Sequence, residues 1–292
     1  MQVNAIVCEE IAEDIGSVGL QQIELPDPGP GQVRVRLKAC AVNFPDLLMI
    51  QGKYQFKPPL PFAPGGEAAG DIEACGPGVS FKEGDAVIVG MRYGGFAEAV
   101  VVDESQVKPL PKGMSYAKGA SYQTAYLTAY VALKRRGYLE QGETLLVHGA
   151  TGGVGMAAVD LGKHFGAKVI GTGGRDDKLA VVASRGADHV INYTMEDGSL
   201  GGFRDTVKAL TDGRGADVIY DPVGGDVFDE SMRCINWGGR ILSIGFTSGR
   251  WPQAPVNLIL IKQISVIGVR AGEYGRQDPV KGLENAQRLY AM

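Results

Sequence analysis

The chain has 292 residues, of which 45% are hydrophobic and 21% charged, and its formal net charge is −4. This is the composition of a globular protein long enough for two domains, and it carries no basic field of the kind that nucleic acid requires. No apolar run reaches membrane-spanning length, since Lys262 and Gln263 interrupt the best candidate, and the first residues read as a strand followed by Glu9 and Glu10, not as a secretion signal.

Residues up to 122 read as β-rich. The run 33–37 alternates with a period of two, and 86–89 and 99–102 are short apolar strands, separated by Pro/Gly clusters at 27–31 and 76–78. One helix is expected over 43–50, capped by Asn43 and ended by Gly52. The pattern then changes. A helix is expected over 122–136, followed by strands over 145–148, 168–172, 189–192, 218–220 and 240–244. Helices over 156–165, 177–185, 203–211 and 228–234 alternate with them. The apolar run 264–269 reads as an edge strand, and 283–290 as a last helix. Alternation with short connections implies a parallel sheet covered on both faces, so the fold class is α/β: a doubly wound sheet behind a β-rich first domain.

Four cysteines, Cys8, Cys40, Cys75 and Cys234, form no CxxC pair and no cluster of four. They read as reduced core thiols of a cytoplasmic protein. The most informative stretch lies at 145–158, where an apolar run ends in a glycine-rich turn and a small-residue helix begins. A pyrophosphate needs that arrangement: backbone N–H groups at a helix N-terminus, with no side chains in the way. The turn makes Thr151, Gly152, Gly153 and Val154 candidate dinucleotide ligands. Counted from Ala150, it departs from the strict GxGxxG pattern at its first position.

The next strand ends at Gly173 and Gly174, where an NAD-selective site would place an acid on the ribose. A glycine leaves room for a 2′-phosphate, and Arg175 and Lys178 stand close enough to bind it. Asp176 and Asp177 are the competing partners for those cations. NADPH is therefore the expected cofactor.

The stretches 41–46 (AVNFPD), 52–54 (GKY), 64–70 (PGGEAAG), 82–87 (KEGDAV), 94–98 (GGFAE), 186–193 (GADHVINY) and 221–225 (DPVGG) follow one another in order around the glycine turn. Together they resemble the zinc-independent quinone oxidoreductase branch of the medium-chain dehydrogenase/reductase superfamily. The resemblance implies a GroES-like catalytic domain over 1–122 and a Rossmann domain over 123–270. Residues 271–292 would begin a return to the first domain, with further residues expected beyond Met292. It adds Asn43, Thr128, Tyr193, Val223, Gly245 and Phe246 to the cofactor-binding candidates. It also implies a homodimer joined through the edge strand at 264–269.

Zinc-dependent relatives hold a catalytic metal with Cys and His where this chain has Asn43 and Gly66. Its histidines, His148, His164 and His189, all fall in the nucleotide half and read as structural, so no metal is expected. Without a metal or a general-acid histidine, the acceptor must already be electrophilic: a quinone or an α,β-unsaturated carbonyl. Tyr54, Asn43 and Asp46 are the candidate catalytic residues. Tyr54 is expected to donate to the acceptor oxygen, Asn43 to lie near the nicotinamide, and Asp46 to orient its neighbours. Two alternatives stay open, an enoyl-thioester or enone reductase and a non-catalytic NADPH-binding protein.

Overall fold

A computed structural model describes residues 1–292, which divide into two compact units, Met1–Gln123 and Thr124–Met292. In the first unit, β1 (Gln2–Cys8) and β2 (Val18–Glu24) form an antiparallel pair, with Val3, Ala5 and Val7 of β1 turned inward. The period-two run at 33–37 lies within β3 (Gln32–Cys40), whose Val33 and Val35 are fully buried. Then come α1 (Phe44–Ile50), β4 (Glu67–Cys75), β5 (Ala86–Gly90), β6 (Ala99–Asp103) and β7 (Val107–Pro109). The second sheet is five-stranded and antiparallel, in the order β6-β3-β4-β5-β7. Its strand β4 carries little branched or aromatic patterning and was not expected. Its small residues answer to crowding: a β-carbon on Gly70 would lie 2.0 Å from the Arg36 carbonyl oxygen of β3.

The helix expected over 122–136 begins six residues earlier, as α2 (Tyr116–Tyr130), and ends in a π-helical turn, Val131–Arg136. The alternating region gives β8 (Thr144–Val147), α3 (Gly153–His164), β9 (Lys168–Gly173), α4 (Asp176–Ser184) and β10 (His189–Asn192). It continues as α5 (Arg204–Leu210), β11 (Ala216–Asp221), α6 (Gly225–Cys234) and β12 (Ile235–Ser243). After these come α7 (Val256–Lys262), β13 (Ser265–Gly268), α8 (Ala271–Gln277) and α9 (Pro279–Ala291). The helices α7 and α8 were not expected.

The six strands of this unit are parallel, in the order β10-β9-β8-β11-β12-β13. Successive residues feed opposite faces: Leu145, Val147, Val169 and Val218 enter one core, and Leu146, Ile170, Ile219 and Ile241 enter the other. Chain order reverses between β8 and β11, so the carboxyl ends of these strands flank the crevice where open α/β sheets bind their ligands. No helix is long and apolar enough to cross a membrane.

Candidate functional site

The chain leaves β8 through Gly149, which takes φ +55°, so Gly149 makes the turn one residue ahead of the Ala150 from which the pattern was counted. The turn closes when Gly152 N–H donates to the Gly149 carbonyl at 3.0 Å and Ala150 N–H donates to Thr172 of β9 at 2.9 Å. A β-carbon on Gly155 would lie 2.2 Å from the Gly149 oxygen, so this glycine answers to the turn itself. A β-carbon on Gly153 would meet nothing within 4 Å. The N–H groups of Gly153, Val154 and Gly155 open α3 with no acceptor in the chain, and no side chain caps the helix. Unpaired donors around an open, glycine-walled space fit a pyrophosphate. A nicotinamide dinucleotide, when bound, would supply a hydride.

Most of the remaining cofactor candidates cluster with this turn at the strand ends. Gly173 ends β9 and Gly174 and Arg175 follow it, Tyr193 follows β10, Val223 follows β11, and Gly245 and Phe246 follow β12. Lys178 lies in the first turn of α4, Asn43 belongs to the first unit, and Thr128 is half-buried on α2.

Two details qualify the reading of β9. Gly173 is buried, and a β-carbon there would lie 2.9 Å from the Thr151 methyl and 3.2 Å from Leu179. Packing by itself is thus a reason for a glycine here. Arg175 is not waiting unpaired, because it holds Asp177 through two bonds of 3.0 and 2.7 Å. Asp176 accepts from Asn192 at 2.8 Å, whereas Lys178 is exposed and forms no ion pair.

Beneath the turn lies a hydrogen-bond chain. His148 is fully buried, with Nδ1 at 2.8 Å from Thr172 Oγ1 and Nε2 at 2.7 Å from Ser231 Oγ. Ser231 donates onward to the Val227 carbonyl at 2.7 Å, so it accepts from Nε2–H, and Nδ1 accepts from Thr172. Burial pushes the imidazole pKa down to about 3, so the ring is neutral. At the end of β11, buried Asp221 accepts the N–H groups of Val223 at 2.8 Å and Gly224 at 2.9 Å. Burial raises its pKa to about 6 against those two bonds.

The three catalytic candidates belong to the first unit. Asn43 stands at the N-cap of α1, the expected position, in a capping box with Asp46. Asp46 reaches back to accept from the Asn43 N–H at 2.7 Å, while the Asn43 amide donates to Glu67 at 2.9 Å. Asp46 also accepts from Gly65 N–H at 3.1 Å, which ties α1 to the 64–66 loop. Asp46 and Glu67 are only 2% and 1% exposed. Burial raises the Asp46 carboxyl, opposed by its two backbone bonds. Cys40 beside them is pushed up to about 12 by burial and then by the charges of Asp46 and Glu67, so it is an inert thiol.

Glu67 went unnoticed in the sequence. Its one signal was an acid inside a run of small residues, 64–70. Gly66 has no side chain to offer a metal, and no group of three or more His, Cys, Asp or Glu is placed to hold one. Tyr54 follows the end of α1, where Gly52 takes φ +65°. It packs half-buried against Cys8, Met49, Ile50 and Phe62, and its hydroxyl makes no hydrogen bond within the chain. It is therefore a donor with an open valence.

Two families match the chain: the alcohol dehydrogenase GroES-like domain over residues 29–112 and the zinc-binding dehydrogenase family over 153–287. The quinone oxidoreductase-like protein 2 homolog of Nematostella vectensis is 41% identical over 278 residues, covering 94% of this chain and 74% of its own. A quinone oxidoreductase structure from Pseudomonas syringae matches with a TM-score of 0.86 and 30% identity, covering 99% of this chain and 88% of its own. A mycobacterial structure complexed with NADPH matches with a TM-score of 0.86 and 28% identity, over 99% of this chain and 88% of its own.

Proposed function

Because the chain belongs to the zinc-independent quinone oxidoreductase branch of the medium-chain dehydrogenase/reductase superfamily, we propose that it reduces a quinone or similarly activated carbonyl with NADPH and without a metal. Membership makes it an NAD(P)-dependent oxidoreductase acting on a small molecule. The finer reading is carried by one observation. The positions of the would-be metal ligands hold an amide, Asn43, and a bare glycine, Gly66, while Tyr54 presents an unpaired hydroxyl. Such a site offers hydrogen bonds and no Lewis acid, which suffices only for acceptors that need little polarisation.

In this reading Thr151, Gly152, Gly153 and Val154 hold the pyrophosphate, and Lys178 and Arg175 receive the 2′-phosphate. Tyr54 donates to the acceptor oxygen. Asp46 and Glu67 fix Asn43 near the nicotinamide. The protein works in the cytoplasm as a homodimer. The support for a dimer is the edge strand β13 next to α7, which exposes Val256, Leu260 and Ile261 at 75%, 76% and 69%.

The test follows NADPH oxidation after dialysis against a chelator, with 1,4-benzoquinone and then with a crotonyl thioester. Quinone turnover that survives dialysis is expected. Turnover of the thioester alone makes the protein an enoyl reductase, and NADPH binding without turnover of either makes it a binding protein.

A further inference from the structure

The loop that follows β5 carries a cation that the function above does not use. Arg92 is exposed, and its guanidinium lies 4.7 Å from the Phe56 ring centroid. No carboxylate pairs with it. Phe56 in turn stacks on Tyr93 at 6.0 Å, and Tyr93 meets Phe62 edge-on at 6.2 Å. Phe62 belongs to the cluster on which Tyr54 packs, so the proposed donor and the unpaired guanidinium share one aromatic group.

The backbone ties Arg92 to the same place. Met91 N–H donates to the Gly66 carbonyl at 2.9 Å, and Gly94 N–H donates to Ala63 at 2.7 Å. A β-carbon on Gly66 would lie 3.5 Å from the Met91 oxygen and 4.0 Å from that of Arg92. The segment bearing Arg92 therefore lies against the 63–66 loop that Asp46 holds through Gly65.

A guanidinium held flat on a ring keeps its N–H edges free for a bidentate oxyanion, and it has lost part of its hydration to the ring. The exposed cations of the segment between α1 and β4, Lys53 and Lys57, also form no ion pair. The acidic stretch at residues 9–14 meets the end of α1, through Ala12 N–H to Ile50 and Gln51 to the Glu13 carbonyl, and forms no ion pair with Arg92. We infer that Arg92 is a specificity residue, and that the preferred acceptors are electron-poor carbonyls bearing an anionic substituent such as a carboxylate, sulfonate or phosphate. This rests on the acceptor site proposed above.

The experiment compares 1,4-naphthoquinone with its 2-sulfonate, and the uncharged N-acetylcysteamine thioester of crotonate with crotonyl-coenzyme A. Wild type, Arg92→Gln and Arg92→Lys are measured. Arg92→Gln is expected to lower kcat/KM for the anionic member of the active pair by about tenfold, the scale of one charge-assisted contact. The neutral member should change less than twofold, and Arg92→Lys should recover part of the loss. Equal losses on both members, or none, overturn the inference while leaving the acceptor site in place.

Calorimetric binding of the naphthoquinone sulfonate without NADPH separates the two ideas. If nothing is turned over but Arg92→Gln weakens binding about tenfold, the reductase reading fails and the anion preference stands. If there is neither turnover nor binding, both fail.

Discussion

Acid should destabilise the nucleotide-binding unit through one imidazole. His148 is fully buried between Thr172 and Ser231, and burial holds its pKa at about 3 against the ordinary 6.5. Below about pH 6.5 the unfolded chain takes up a proton that the folded chain refuses, so stability falls as pH falls. Each pH unit well below 6.5 costs about 1.4 kcal/mol, which makes about 2.3 kcal/mol between pH 6.5 and 4.5 from this residue alone. A His148→Gln variant can still reach Ser231, yet it leaves the Thr172 hydroxyl only the long contact to the Val147 carbonyl at 3.5 Å, at a cost of about 1–3 kcal/mol at pH 7. It does not titrate.

The two proteins should therefore converge on acidification and reach equal stability between about pH 4.5 and 6. The assay is urea unfolding followed by far-ultraviolet circular dichroism, for both proteins at pH 7, 6, 5 and 4.5. Ionisations common to both cancel in the difference. A gap that stays constant across the series would mean that His148 accepts its proton in the folded state, and the argument from burial would be wrong.

Other expectations follow from the turn and the strand ends. Gly153→Asp should fold, since a β-carbon there meets nothing within 4 Å, and should lose NADPH binding to charge repulsion; retained affinity in a titration would place the cofactor elsewhere. Gly155→Ala should instead lose about 3 kcal/mol or more of stability in urea, because its β-carbon would sit 2.2 Å from the Gly149 oxygen. NADPH should bind about 10- to 100-fold more tightly than NADH, and equal dissociation constants by fluorescence titration would refute the phosphate assignment. Tyr54→Phe should lower kcat/KM for a quinone by about 10- to 100-fold with NADPH affinity unchanged; normal turnover would reduce Tyr54 to packing.

Much of the second unit was legible because each link of a parallel sheet carries its own signal: a short apolar run, a glycine or polar turn, a helical period. Strand β10 was read to the residue, and β8 within one. The start of α3 was placed three residues late, since Gly153, Val154 and Gly155 are held by turn geometry and show no apolar period. The apolar composition of α7 and the two glycines of α8 gave no helical signal.

In the site, residue types were easier to read than their partners. Asn43 and Asp46 stood out as a motif, but the bond from Asn43 to Glu67 spans 24 positions and has no local trace. Arg175 and Asp177 stand two apart, which on a regular helix would turn them away from each other. They meet because Arg175 is extended, with φ −146° and ψ 130°, ahead of the first turn of α4.

The glycine pair that ends β9 also restricts how the site can evolve. A β-carbon at 173 runs into the Thr151 methyl at 2.9 Å, and one at 174 into the Thr194 hydroxyl at 2.7 Å. An acid at 173 thus has to displace the Thr151 methyl and Leu179 inside the fold, and one at 174 has to turn the exposed Thr194 hydroxyl aside. The exposed positions beside them, Arg175, Asp177 and Lys178, are under no such constraint. Natural and laboratory drift in cofactor choice should therefore be found first in the opening turn of α4, as gains and losses of surface charge, with the strand end unchanged.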